Sequence, residues 1–269
     1  MQEYYKLKGE AFIQESKVPL VVAKTNDDIF QALAREMVDT IEANNAKDEP
    51  TVIICPVGPV GHYPYFVKMV NEKRVSLASV WFINMDEYLS GEKEWIDINH
   101  PLSFRGFMNR TVYSQIAPDL IMPEEQRIFP DPRDLEQISE TISKLGKVDL
   151  CLGGIGINGH VAFNEPEPSM TKDAFAHLPT RVLEIAAETR AVNSIGDLRG
   201  ALEAMPTYCV TIGMKEILQA RKVRLGVFRE WHYGVVRRAA CAEPSADFPV
   251  TLLQNHPDYQ LYLSEYLAQ

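Results

Sequence analysis

The chain lacks an unbroken apolar stretch of transmembrane length, an excess of basic residues, clustered cysteines and any consensus nucleotide-binding loop. Each absence removes a class of function. Without about 18 consecutive apolar residues there is no candidate membrane-spanning helix. Its 27 Lys and Arg stand against 37 Asp and Glu, a formal net charge of -10. That balance argues against general nucleic-acid or anionic-membrane binding, since phosphate backbones and acidic headgroups attract basic faces. It leaves room for one small anionic ligand. The four cysteines, Cys55, Cys151, Cys209 and Cys241, are widely separated, and the first three lie in apolar runs. There cysteine behaves as a small reduced hydrophobe. The six histidines, His62, His100, His160, His177, His232 and His256, form no pair at helical spacing, so no metal site is expected. Neither the P-loop lysine with its serine or threonine, nor GxGxxG, nor a GxSxG elbow is present. ATP, NAD and serine-hydrolase chemistry are therefore unsupported, and no cofactor is expected. The opening MQEYYKLKGEAFIQESK has no apolar signal region, so a cytoplasmic protein is expected.

What is present is an ordinary globular composition, 46% hydrophobic and 24% charged over 269 residues. Short apolar runs at 51–55, 80–83, 148–152, 208–212 and 223–228 read as buried strands. Helical patterns separate them. Asn26 or Asp27 is expected to cap a helix reaching Glu42, with Ile29, Leu33, Met37, Val38 and Ile41 on one stripe. Asp131 with Pro132 reads as the start of another, carrying Leu135, Ile138, Ile142 and Leu145 before Gly146 stops it. The alternation implies an α/β fold of the doubly wound class, a mostly parallel sheet with helices on both faces. Residues 21–269 are expected to form one domain, with 1–20 a peripheral N-terminal extension.

In such sheets ligands bind beyond the carboxyl ends of strands, and three expected strand ends carry unusual residues. The first runs into PVGPVGHYP at 56–64, a glycine loop of the kind that cradles anions, with Gly58, Gly61 and His62 as candidate ligand contacts. The second runs into NMDEY, where Asp86 and Glu87 are either a solvated loop or helix cap, or carboxylates at the mouth of a site. A carboxylate there is placed to take a proton from carbon next to a carbonyl, as aldose-ketose interconversion requires. The third runs into GGIGINGHVAFNEP at 153–166. Gly154 and Gly156 let backbone approach a ligand closely. His160 can relay protons, and Glu165 can orient its ring. Asn158 can donate or accept a hydrogen bond but cannot be a carboxylate base.

Together these motifs resemble the glucosamine-6-phosphate deaminase/isomerase family, which shares a superfamily with the 6-phosphogluconolactonases. HPLSFRGFMNR at 100–110, ETRAVNS at 188–194 and YCVTIGMKEIL at 208–218 extend the likeness across residues 50–260. The FNEP ending and NMDEY favour the deaminase branch over the lactonases. The resemblance implies a modified Rossmann-like fold and chemistry without metal or cofactor: opening of an amino-sugar ring, proton transfer between C2 and C1, and release of ammonia to leave a ketose. Asp86 would take the C2 proton, His160 would assist ring opening, and Glu165 would be its carboxylate partner. Arg181 and Arg190 match family positions and are available to pair with an anion or with the protein. The partner implied is a small sugar or sugar phosphate, and because many relatives are oligomers, a homo-oligomer is implied as well.

The sequence also departs from that pattern. Asn158 stands where the family usually has aspartate. The loop at 56–64 lacks the hydroxyl residue and glycine pair of the family's phosphate cradle, Ile195 replaces an arginine, and WHYG at 231–234 lies where the family has a lysine. His62, His232, Arg199 and Arg105 are the candidates to replace the lost charge. Two alternatives follow: an isomerase of an unphosphorylated sugar, or a non-catalytic sugar-binding or regulatory protein on the same fold.

Overall fold

The computed structural model describes residues 2–269, Asp197 excepted as to its side chain. Seven parallel strands form one sheet in the order β1 (Leu20–Ala23), β10 (Tyr259–Ser264), β9 (Val223–Val227), β6 (Leu150–Gly153), β2 (Thr51–Cys55), β3 (Val80–Asn84) and β5 (Arg127–Ile128). A second sheet is antiparallel, in the order β4 (Asp86–Leu89), β8 (Tyr208–Thr211) and β7 (Arg181–Glu184).

The strand sequences explain why the main sheet is covered on both faces. Val52 and Ile54 point into one core with Cys151 and Leu225, while Ile53 and Cys55 point into another with Leu150, Leu152 and Phe82. Strands apolar at every position are what a sheet buried on both sides requires. The stripe expected on helix Asn26–Asn45 is buried in the second core. Its cap is Thr25, not Asn26 or Asp27. Thr25 Oγ1 accepts from the Asp28 amide, and the Asp28 carboxylate accepts in return from the Thr25 amide at 3.0 Å. Asp27 is instead bound by Tyr65 and Gln31.

Other expectations are corrected. The run at 208–212 forms β8 but leaves the parallel sheet. After β3 only Met85 intervenes before the chain starts β4; the Met85 amide donates to Cys55 O, and its carbonyl accepts from Ile212, which carries β8 alongside β4. The helix expected from Asp131 begins at Gln137. The Asp131 carboxylate is taken by the Arg133 amide and guanidinium in a local turn, so it is not free to cap a helix. Of the first twenty residues, expected at the periphery, Phe12 and Val18 lie in the core, and Arg237 donates to both Leu7 O and Leu267 O. Cys55, Cys151 and Cys209 are buried free thiols and Cys241 is a half-buried one. No helix among the described residues is long and apolar enough to cross a membrane.

The Thr25–Asp28 box satisfies two amides at the start of the longest helix. Thr25→Ala is expected to cost about 1 kcal/mol, read as a lower urea midpoint with an unchanged slope.

Candidate active site

Parallel pairing of β6 with β2 on one side and β9 on the other brings their carboxyl ends together, with β3 next in line. Above them lies a cavity of about 620 Å³. The loops after β2, β3 and β6 line it through Gly58 and Gly61, through Asp86, and through Gly154, Gly156 and His160, so the three expected strand ends do meet. A fourth end, after β9, adds Phe228 and Arg229. Sequence reasoning missed Arg229, although it follows an apolar strand at the same topological level as the other three. Tyr88 and Asn193 were also missed. They line the cavity from β4 and from helix Ala187–Asp197, and Asn193 donates to the Tyr88 hydroxyl at 3.1 Å.

Asp86 is 7% exposed rather than emerging into solvent. Burial, with the charge of neighbouring Glu87 adding to it, pushes its carboxyl well above the usual carboxylate range. Glu87 is fully buried and does not line the cavity. Its carboxylate accepts from the amides of Tyr88, Phe104 and Arg105 at 2.9 to 3.0 Å, from Ser103 Oγ at 3.0 Å, and from Arg105 Nε at 3.1 Å. All of those donors but the Tyr88 amide open helix Phe104–Thr111, whose positive end favours a carboxylate. Two consecutive acids therefore serve opposite sides of one strand.

His160 is fixed from behind. Asn158 Nδ2 donates to Glu165 Oε2 at 2.7 Å and to Glu188 Oε1 at 3.1 Å. Two carboxylate oxygens on that side settle the orientation of the amide, because neither oxygen can donate. Asn158 Oδ1 then faces His160 Nδ1 at 2.8 Å, so Nδ1 carries the proton. Thr189 gives its hydroxyl proton to Glu165 at 3.2 Å and sits 3.3 Å from the same ring nitrogen. Nε2 is left with its lone pair, bound by no protein group among the described residues, on a ring that borders the cavity. Burial would push the Glu165 carboxyl up; the hydrogen bond and charge of His160, then the bonds from Asn158 and Thr189, outweigh it and hold Glu165 below its usual value.

The glycine of this loop is required by the ring itself. A Cβ on Gly156 would fall 2.0 Å from His160 Cε1 and 2.2 Å from Nε2. Two residues beyond His160, Ala162 holds φ at 55°, in the left-handed region that costs a residue with a side chain about 1–3 kcal/mol, and the loop then sets Phe163 into the cavity wall.

The remaining expected contacts lie outside the lining. His62 is fully buried with neither ring nitrogen bonded, and burial lowers it to about 3, so it is neutral. Arg181 donates to Asn164 Oδ1, and Arg190 to Met205 O. Asn158 and Glu165 act behind His160 rather than on the cavity. Among the described residues no group of three or more His, Cys, Asp or Glu is placed to hold a metal ion.

No protein-family model matches the chain. The chain is 30% identical over 244 residues to a glucosamine-6-phosphate deaminase of Mannheimia succiniciproducens, covering 88% of this chain and 86% of that one. It is 29% identical over 263 residues to the enzyme so named from Clostridium perfringens, covering 93% and 98%. Among solved structures it superposes on a monomeric glucosamine-6-phosphate deaminase with a TM-score of 0.80 at 23% identity, covering 93% of this chain and 98% of that one. On a 6-phosphogluconolactonase from Shewanella baltica the TM-score is 0.66 at 15% identity, covering 92% and 97%.

Two substitutions separate scaffold from site. Glu87→Ala strips five donors of their acceptor and is expected to cost about 3–5 kcal/mol in denaturant unfolding, with Glu87→Gln losing less because it keeps a carbonyl oxygen. Asn158→Asp removes the amide protons that Glu165 and Glu188 accept and sets a third carboxylate beside them, so it is expected to cost about 1–3 kcal/mol in the same unfolding measurement.

Proposed function

Because the chain belongs to the glucosamine-6-phosphate deaminase family, we propose that this cavity opens an amino-sugar ring, isomerises the open chain and releases ammonia to leave a ketose. The reading rests on one observation above the others: a buried carboxyl of raised basicity and a histidine with a bare Nε2 border the same cavity.

His160 Nε2 takes the proton of the anomeric hydroxyl as the C1–O5 bond breaks, and returns it to O5, giving a free aldehyde. The transient imidazolium is held by Asn158 Oδ1 and by Glu165, whose carboxylate lies 3.3 Å from Nδ1. Asp86 removes the proton from C2; the electron pair forms the C1–C2 double bond while the aldehyde oxygen takes a proton from solvent and becomes a hydroxyl. Asp86 then gives its proton to C1, which leaves an iminium at C2 and regenerates the carboxylate. Water adds to C2 and ammonia departs, so the net reaction is amino sugar plus water to ketose plus ammonia. An aspartate whose proton affinity is raised by burial is a stronger base toward carbon than an ordinary carboxylate. The substrate is a small molecule.

Ammonia and ketose release from amino sugars, with Asp86→Asn run beside the native protein, is the direct test. Loss of about 10²–10⁴-fold in turnover is expected on Asp86→Asn, and an unchanged rate would refute the assignment. The acid limb of kcat/KM is expected above the ordinary carboxylate range, because Asp86 must be ionised to act. The same shift has a stability consequence. A carboxyl raised by the fold supports the folded state fully below its unfolded value, and that support is lost as pH rises through the raised folded value. Asp86→Asn is therefore expected to have a higher Tm than the native protein at pH 8 and to lose that advantage near pH 3.

A further inference from the structure

The cavity is uneven in polarity. Asp86, His160, the Tyr88–Asn193 pair and Arg229 are among its polar side chains, with Ser103 and His232, whereas the loop after β2 and the first residue after β9 present Val57, Pro59, Val60 and Phe228. Phe30 reaches in from helix Asn26–Asn45 and stacks on Phe228, ring centres 4.4 Å apart at 28°. Its ring occupies the space over Gly61, where a Cβ would lie 2.5 Å from it. The glycine loop is thus covered by an aromatic face.

Apart from Arg229, the charged and titratable side chains that could hold an anion at such a loop are spent or lie elsewhere among the described residues. Helix Tyr63–Lys73 begins beside the loop, but Pro64 has no N–H and the Tyr63 amide donates to Val60 O. His62 is neutral and faces the interior. His232 donates from Nε2 to Ile155 O and accepts at Nδ1 from the Arg229 amide, each at 2.9 Å, so both nitrogens are committed, and burial lowers it to about 4. Arg105 is bound to Glu87 and to Ile96 O, and Arg199 does not line the cavity. Among the described residues Arg229 is the one Arg or Lys that does. A phosphate monoester carries a charge of about −1.5 to −2 at pH 7, which one exposed guanidinium beside aromatic and branched aliphatic surface leaves under-compensated.

We infer that this cavity takes an amino sugar whose carbon distal to the reacting centre is uncharged, a hydroxymethyl or methyl group against Phe30, Phe228, Val57 and Val60, and that it selects against the 6-phosphate of the same sugar. The inference rests on the amino-sugar reading above and departs from the phosphorylated substrate in the relatives' names.

Calorimetric titration of the Asp86→Asn protein with glucosamine, 6-deoxyglucosamine and glucosamine 6-phosphate tests it without turnover. The two uncharged sugars are expected to bind at least about tenfold more tightly than the phosphate. Equal or tighter binding of the 6-phosphate, or no binding by any of the three, overturns the inference. Ranking kcat/KM for the same sugars on the native protein repeats the test should Asp86→Asn fail to fold. Ammonia release separates the two claims. Binding in the expected order with no ammonia supports the selectivity and refutes the reaction; ammonia released fastest from the 6-phosphate supports the reaction and overturns the selectivity.

Discussion

Parallel hydrogen bonding of β6 between β2 and β9 is the constraint on which the site depends. Parallel strands end at the same edge of a sheet, so loops distant in sequence are delivered to one place without side-chain contacts having to recruit them. The alternating apolar residues of these strands hold the arrangement by filling a separate core on each face. The edge of one of these cores, through Met85 and Ile155, forms the floor of the cavity, and the small antiparallel sheet and helix Ala187–Asp197 supply its opposite wall.

The junction between the two sheets is where stability and chemistry part company. Successive residues of a strand face opposite ways, and in β4 this sends the Asp86 carboxyl to the cavity and the Glu87 carboxylate to the start of helix Phe104–Thr111. Glu87 is surrounded by donors and anchors the helix that carries Phe104 and Phe107 into the cavity wall. Asp86 is buried beside that charge, and the fold thereby retains a base that favours its proton. The carboxylate surrounded by donors stabilises the scaffold and its neighbour, facing the cavity, holds its proton more tightly, although the two differ by a single position.

Asn158 reconciles an altered motif with a working geometry. Glu188, exposed on helix Ala187–Asp197, joins Glu165 in taking the amide protons. With two carboxylates already there, an amide is a better neighbour than a third acid, and it still fixes the tautomer of His160. The compensating residue lies 30 positions away and belongs to a different element, which is why the motif alone reads as a loss. The apolar wall opposite belongs to the same pattern of local departures offset by tertiary partners.

The sequence by itself determined the α/β class, five strand positions, the stripe of the first long helix, and the gathering of Asp86, His160 and the two glycine loops, because apolar periodicity and strand-end location depend only on residue order. By residue type it also singled out Asp86, His160 and Glu165 as candidates for proton transfer. Tertiary structure alone decided that 208–212 pairs with β4 outside the main sheet, that Asp131 spends its carboxylate on Arg133, and that Thr25 caps in place of its neighbours. It alone withdrew His62, Glu87, Arg181 and Arg190 from the cavity and brought in Arg229, Tyr88 and Asn193. These outcomes turn on which of several available donors and acceptors meet, some within one turn and others across long separations, and on which way a side chain faces, and a linear pattern of residue types carries neither.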